Sequence, residues 1–332
     1  MIVGCDVGFG HVKTVTAHGL DDFPAVVAPY EAEGFGLPAA FGSGTRSGLR
    51  YRGGTYLVGT EALRWSERRW VSLDRDWVGS EIYRVLALTA LHRRLPHSGA
   101  EVRLVTGLPV GDLDRHGEGV RAALVGHHKI ERLPSGEPWE VTVAEVRVMP
   151  QPFGTLLALV LDEAGEIRDP ALGRGRLGII DIGFRTTDYL TVDGLTTVAS
   201  RSLSRNTGIA DVLLDVSRAI QAHYGLALDP HEVDEAVLRG TICLSGQDVR
   251  IQPMLDPLLE DHAKALAGHA TMLWGRGQAL QAILVTGGGG QLLGPHLTSL
   301  GPHVRVVANA RVQNAIGYYR YGRRLVGPGR AS

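Results

Sequence analysis

Ile2-Val3-Gly4-Cys5-Asp6-Val7-Gly8-Phe9-Gly10-His11-Val12-Lys13-Thr14-Val15-Thr16 opens the chain, and Leu177-Gly178-Ile179-Ile180-Asp181-Ile182-Gly183-Phe184-Arg185-Thr186-Thr187-Asp188-Tyr189-Leu190-Thr191 repeats it 175 residues later. At that offset Asp6 falls on Asp181, Val7 on Ile182, Gly8 on Gly183 and Phe9 on Phe184. Thr16 falls on Thr191 and Gly19 on Gly194, while Ile2, Cys5 and Val15 meet the apolar Leu177, Ile180 and Leu190. Each stretch reads as an apolar strand, a glycine-bearing turn and a second strand, which is a hairpin signal. Self-similarity at a fixed offset argues for two copies of one unit. Chance similarity of two apolar strands is the competing reading, and the matched aspartate and glycine positions weigh against it. The chemistry of such a hairpin is direct. Turn glycines let backbone N–H groups converge on an anion. An aspartate at the strand end cannot bind phosphate, but it can hold Mg²⁺, directly or through water, and the metal bridges to phosphate oxygens. Two such hairpins facing each other would clamp a polyphosphate.

The rest of the composition sets bounds. The chain has 332 residues, enough for two domains with separate cores. Hydrophobic residues make up 44% and charged residues 21%, and the formal net charge is -1. A chain so nearly neutral has no strong basic field, so direct nucleic-acid binding is not expected. The start Met-Ile-Val-Gly-Cys-Asp lacks the basic head of a signal peptide, and no apolar run approaches membrane-spanning length. A cytoplasmic protein without membrane partners is the expectation. Cys5 and Cys243 have no neighbours at metal-ligand spacing, and Cys5 lies in an apolar run that favours a buried free thiol over a disulfide. The 13 histidines suggest no metal site, and His127-His128 reads as a surface pair.

Strands and helices are expected to interleave. Residues 31–54, rich in Gly, Ser and Arg, read as a long loop. Residues 80–95 have helical spacing ended by Pro96, and residues 101–106 read as a buried strand leading to Gly107-Leu108-Pro109. Further strands are expected over 127–148, a sharp break at Pro150-Gln151-Pro152, and a short apolar helix over 153–161. The polar, Gly-rich stretch 162–176 is the expected domain boundary. The periodicity predicts a helix over 209–224, capped by Asn206 or Thr207 and ended by Gly225. Asp229-Pro230 opens another helix, and residues 256–281 read as mostly helical. A strand over 282–286 leads into Gly287-Gly288-Gly289-Gly290, and a last strand (304–307) and helix (310–323) follow. The class is α/β.

Three of these segments carry a family resemblance. Asp6–Lys13 resembles the first phosphate motif of the actin, sugar-kinase and heat-shock-chaperone ATPase superfamily. Asp181–Asp188 resembles its second phosphate motif, and Ile283–Gly290 its adenosine motif. The order and spacing are more specific than any one motif. Thr106-Gly107-Leu108-Pro109-Val110, and Asn309-Ala310-Arg311 followed by Gly317-Tyr318, are similar to segments of the plasmid-segregating bacterial and archaeal actins of the ParM or StbA type. Pro150-Gln151-Pro152 is similar to the segment carrying the water-positioning Gln or Glu of actins. Two departures concern phosphate geometry: Phe184-Arg185 fills a turn where ParM-like sequences often have a second glycine, and Phe9 stands where animal-type actins have serine.

The resemblance implies two related actin-like, ribonuclease H-like domains around a central nucleotide cleft. The first would comprise residues 1–165 plus 311–332, the second residues 173–310. It implies ATP (or GTP, the preference being open) with Mg²⁺. Asp181 would organise Mg²⁺ and the attacking water, with Asp6 as its partner on the metal, each holding it through water. Gln151 would orient that water, and Lys13 would reach phosphate. Gly8, Phe9, Gly10 and His11 on one side, and Gly183, Phe184, Arg185 and Thr186 on the other, would line the phosphates. Arg185 contacts phosphate or faces solvent. Gly287, Gly288, Gly289 and Gln291 would meet the adenosine, and Gly208, opening a helix near the second hairpin, would reach the nucleotide or only cap its helix. For each residue a plain structural role is the alternative: turn glycine, solvated lysine, helix-start glutamine. The implied function is an ATPase that assembles head to tail into filaments, with an adaptor protein linking it to plasmid or other DNA. A small-molecule kinase of the same fold, and a nucleotide switch without filaments, are the rival readings.

Overall fold

The computed structural model describes residues 1–31, 46–70 and 77–327. The chain divides into two units, one formed by Met1–Pro170 and the segment from Val312 onward, the other by Ala171–Arg311.

The first unit is built on β1 (Ile2–Val7), β2 (His11–Thr16), β3 (Gly19–Pro24), β4 (Val27–Pro29), β5 (Gly48–Tyr51), β6 (Gly54–Val58), α1 (Thr60–Trp65), α2 (Glu81–Arg94), β7 (Ala100–Leu108), α3 (Leu113–Leu124), β8 (Gly126–Leu133), β9 (Pro138–Pro150) and α4 (Gln151–Val160). Among the described residues its strands form one sheet, in the order β3-β2-β1-β7-β9-β8-β5-β6-β4. β1 is buried along its whole length. It pairs antiparallel with β2 and parallel with β7, and a strand covered on both faces needs the continuous apolar run seen in its sequence. α2 starts where the Ser80 side chain accepts from the Tyr83 N–H and buries Tyr83, Leu86 and Leu91 against that sheet. Burial of each such side chain contributes about 1.5–3 kcal/mol.

The second unit repeats the plan. α5 (Pro170–Arg174) lies at its border, followed by β10 (Arg176–Ile182), β11 (Thr187–Asp193), β12 (Thr196–Thr197), β13 (Leu203–Arg205), α6 (Ile209–Tyr224), α7 (Pro230–Arg239), β14 (Thr241–Leu244), β15 (Gln247–Arg250), α8 (Gln252–Trp274), β16 (Ala282–Thr286), α9 (Gly290–Leu293) and β17 (Val304–Val306). β12-β11-β10-β16-β17 make its main sheet, with β13 also on β11. Val212, Val216 and Ile220 of α6 pack with Leu255 and Leu259 of α8 over Ile180 and Ile182. α10 (Gln313–Val326) belongs to the first unit, where it packs on β1 and α4.

Several local expectations need correction. Of the expected loop over 31–54, residues 32–45 lie outside the described residues, but Gly48–Tyr51 is a strand and Gly54 begins another. The break at Pro150-Gln151-Pro152 is the junction of β9 and α4, but the helix starts at Gln151 rather than residue 153: Pro150 caps it, and Pro152 sits in its first turn, where the missing N–H has no intrahelical partner to lose. α8 begins at Gln252 rather than near residue 256, again with proline in its first turn, and Gly275 ends it short of Gln281. Neither Asn206 nor Thr207 caps α6. Gly208 does, and the Asp211 carboxylate accepts its N–H. His128 is buried, its Nε2 against the Leu124 carbonyl, while only His127 is exposed. Cys5 is a buried free thiol, whereas the equally free Cys243 is exposed.

Candidate functional site

The two hairpins share their bonding as well as their sequence. The Gly8 N–H donates to the His11 carbonyl at 3.1 Å, and the Gly183 N–H to the Thr186 carbonyl at 2.8 Å. Asp6 lies opposite Lys13 across β1 and β2, as Asp181 lies opposite Asp188 across β10 and β11. All four bonding positions obey the 175-residue offset. Each aspartate is buried at the end of a central strand, 3% exposed for Asp6 and 6% for Asp181.

In the first unit Asp6 is held at both carboxylate oxygens. Lys13 Nζ donates to Oδ2 at 3.2 Å, and Gln151 Nε2 donates to Oδ1 at 2.9 Å. Gln151 comes 145 residues later in sequence and arrives because β9 runs parallel to β7 and delivers α4 beside the end of β1. A Cβ on Gly8 would stand 3.4 Å from Lys13 Nζ, so the turn, the cation, the carboxylate and the amide form one cluster. Burial pushes the adjoining Cys5 thiol up to about 12, so it stays neutral beside Asp6. Phe9 and His11 are drawn elsewhere: the Phe9 ring packs on Trp77 at 5.2 Å, and His11 Nδ1 lies 2.8 Å from Asp22 Oδ1.

In the second unit the cluster gathers around Asp181. Gly287 has φ +85°, and a Cβ there would collide with Asp181 Oδ1 and the Ile182 carbonyl. The Gly289 N–H donates to that carbonyl at 2.8 Å. α6 points its first amides at the hairpin: the Ile209 N–H donates to the Gly183 carbonyl at 3.1 Å and the Ala210 N–H to the Phe184 carbonyl at 2.8 Å. Gly208 must be glycine for this approach, since a Cβ would stand 2.5 Å from the Phe184 oxygen. Thr186 is buried in the turn, Phe184 packs on the second core, and Arg185 is half-buried. Gly288 faces open space, and Gln291 lies on the exposed side of α9.

Asp188 was not among the expected site residues. It is 2% exposed, directly opposite Asp181, and Ser204 donates its hydroxyl to it. The offset that pairs Asp6 with Asp181 also pairs Lys13 with Asp188, a signal present in the repeat. One hairpin therefore sets a cation against its aspartate and the other a second carboxylate. Two buried carboxylates on one face repel, and hard oxygen ligands of this kind suit Mg²⁺. Among the described residues no group of three or more His, Cys, Asp or Glu side chains could hold a metal by itself. Mg²⁺ at these carboxylates would take its other ligands from water and phosphate, as this ion commonly does.

A two-unit α/β chain with paired strand-turn-strand hairpins, a glycine run after the second unit's central strand and a final helix returning to the first unit has actin-like architecture. Comparison with known proteins agrees. Residues 4–154 match the family model described as actin-like proteins N-terminal domain, and residues 179–299 match archaeal actin homologue MreB-like, C-terminal. An archaeal actin homolog of Thermoplasma volcanium is 25% identical over 334 residues, covering 96% of this chain and 97% of that protein. An archaeal actin homolog solved in complex with ADP superposes with a TM-score of 0.81 at 22% identity, covering 97% of this chain and 99% of that one. A 15-stranded ParM filament from Clostridium botulinum gives 0.79 at 21% identity, with the same coverage. The chain belongs to the actin-like superfamily, with ParM-type proteins among its structural neighbours. Among the described residues no helix is long and apolar enough to cross a membrane.

Proposed function

We propose that this chain is an ATPase that binds ATP with Mg²⁺ through both hairpins and assembles head to tail into cytoplasmic filaments that move plasmid or other DNA through an adaptor. The observation that carries the reading is the duplicated hairpin, with the same closing bond and a buried aspartate in each unit. The ADP complex of one structural relative and the filament formed by another support it. Bound Mg²⁺ would neutralise phosphate charge. Asp6 and Asp181 would hold it through water, with Asp188 adding a second carboxylate beside Asp181, Lys13 would offset the remaining negative charge, and Gln151 would orient the attacking water. Glutamine has no basicity at neutral pH, so its part is to position by hydrogen bonds. The turn backbone at Gly8, Gly10 and Gly183 would come close to phosphate, with the Gly8 and Gly183 N–H groups kept in their hairpin-closing bonds, and the open side of Gly288 would face adenosine. Bound nucleotide would favour one conformation, and loss of the γ-phosphate would release it. A head-to-tail contact propagates without closing, which gives a filament.

Electron microscopy and pelleting of the purified protein, with and without ATP and Mg²⁺, together with phosphate release, test this. Filaments and turnover that both require ATP are expected. A flat pelleting signal across protein and salt concentration would remove the filament. Turnover strictly dependent on a sugar or acid would make the chain a kinase, and tight ATP binding to a monomer without turnover would make it a switch.

A further inference from the structure

Tyr318 is fully buried in the middle of α10, and its hydroxyl donates to the backbone carbonyl of Gln151 at 3.3 Å. One turn earlier on the same helix, Asn314 Oδ1 accepts from the Thr155 N–H at 3.2 Å and from the Thr155 hydroxyl at 2.8 Å. Gln151 and Thr155 are the first i and i+4 pair of α4. Two α10 side chains, themselves four residues apart, thus engage both ends of that helix's opening turn.

The backbone is cleared for this contact. A Cβ on Gly107 would collide with the Tyr318 hydroxyl, one on Gly154 would stand 2.6 Å from the Tyr318 ring, and one on Gly317 would collide with the Gly154 carbonyl. These glycines lie inside β7, α4 and α10, where glycine is unfavourable for the element itself. A phenylalanine would fill the ring's volume equally well, so packing alone does not account for the hydroxyl. What the hydroxyl reaches is the residue whose side-chain amide, 2.9 Å from Asp6 Oδ1, joins the hairpin cluster.

We infer that Tyr318 is a positioning residue for Gln151: its hydroxyl fixes the first turn of α4 and so aims the Gln151 amide at the Asp6 carboxylate. The inference rests on the proposed role of Gln151 in ATP hydrolysis for its effect on turnover, but not for its structural content. Groups that orient water act over tenths of an ångström, and small misplacements cost rate more than binding.

Tyr318→Phe, Gln151→Ala and the double variant test it, using the full chain labelled with ¹⁵N-glutamine. The Gln151 side-chain amide signals are identified by their loss in Gln151→Ala. Tyr318→Phe should shift them while leaving the remaining glutamine signals in place. It should also lower the turnover rate about tenfold at saturating ATP, with affinity for a fluorescent ATP analogue unchanged. In the Gln151→Ala background the same substitution should cost nothing more, because the two act on one step. An unmoved Gln151 signal in Tyr318→Phe would overturn the inference, as would a turnover loss that multiplies with that of Gln151→Ala. If the wild-type protein binds ATP without hydrolysing it, yet Tyr318→Phe moves the Gln151 signal, the positioning contact stands and the ATPase reading falls.

Discussion

Replacing Gly287 and Gly288 by alanine, one at a time, separates the two duties a glycine run can have. Gly287 sits at φ +85°, and a Cβ there would collide with Asp181 Oδ1 and the Ile182 carbonyl. Left-handed backbone costs an L residue about 1–2 kcal/mol, and forcing an atom into packed surroundings costs about 1–3 kcal/mol more. Gly287→Ala should therefore destabilise the second unit by about 3 kcal/mol. With a urea dependence of about 3 kcal/mol per molar, its unfolding midpoint should fall by about 1 M. Gly288 has no such strain, and a Cβ there meets nothing within 4 Å. Gly288→Ala should stay within about 0.5 kcal/mol of wild type, while its methyl group enters the space proposed for adenosine and weakens ATP binding. Urea unfolding followed by tryptophan fluorescence, with the buried Trp274 as reporter in that unit, and titration with a fluorescent ATP analogue read the two effects apart. Equal urea midpoints for the two variants would refute the packing argument. Unchanged ATP affinity in a folded Gly288→Ala protein would remove adenosine from this loop.

Asp181→Ala should lower ATP turnover by about 10²-fold or more while far-UV circular dichroism stays that of the wild type; wild-type turnover would take Asp181 out of the site. Lys13→Met leaves the buried Asp6 carboxylate without its cation, a loss of about 3 kcal/mol, and adding Asp6→Asn should restore most of it in the same urea assay. His92 lies edge-on to Trp139 at 5.2 Å, and burial first, then Arg132 and Arg93, hold its pKa down to about 4 from 6.5. The folded protein keeps this ring neutral where the unfolded chain protonates it, so its contribution to stability is present above about 6.5 and is lost as pH falls from there toward 4. His92→Gln should flatten the decline of the urea midpoint over that window.

Much of the site was legible because it is local. Asp6, Gly8, Lys13, Asp181 and Gly183 sit in two short hairpins whose spacing alone sets strand, turn and strand, and β1, β2, β10 and β11 follow that pattern. Helices with clean periodicity and a clear stop, such as α6 with Gly225 in the left-handed conformation, were equally readable. Short strands with weak alternation were not. β5 and β6 are four and five residues long, and pairing with β8 and β4 supplies what their composition lacks. Pro150 and Pro152 read as a break because proline punctuates chains, and β9 does end there, but α4 already includes Pro152 because a helix start has no amide bond to lose.

The sequence by itself determined the repeat, the α/β class and the residues that resemble a phosphate-binding superfamily, because hairpins and glycine turns are set by neighbours a few positions apart. Only the tertiary structure decided which of those residues act together. It brought Gln151 to Asp6 across 145 residues, turned Phe9 and His11 toward Trp77 and Asp22, and placed Asp188 against Asp181. It also set Tyr318 behind Gln151. Sheet order and helix packing join elements that are remote along the chain, and the glycines that admit their close approach carry no mark of which partner they are cleared for.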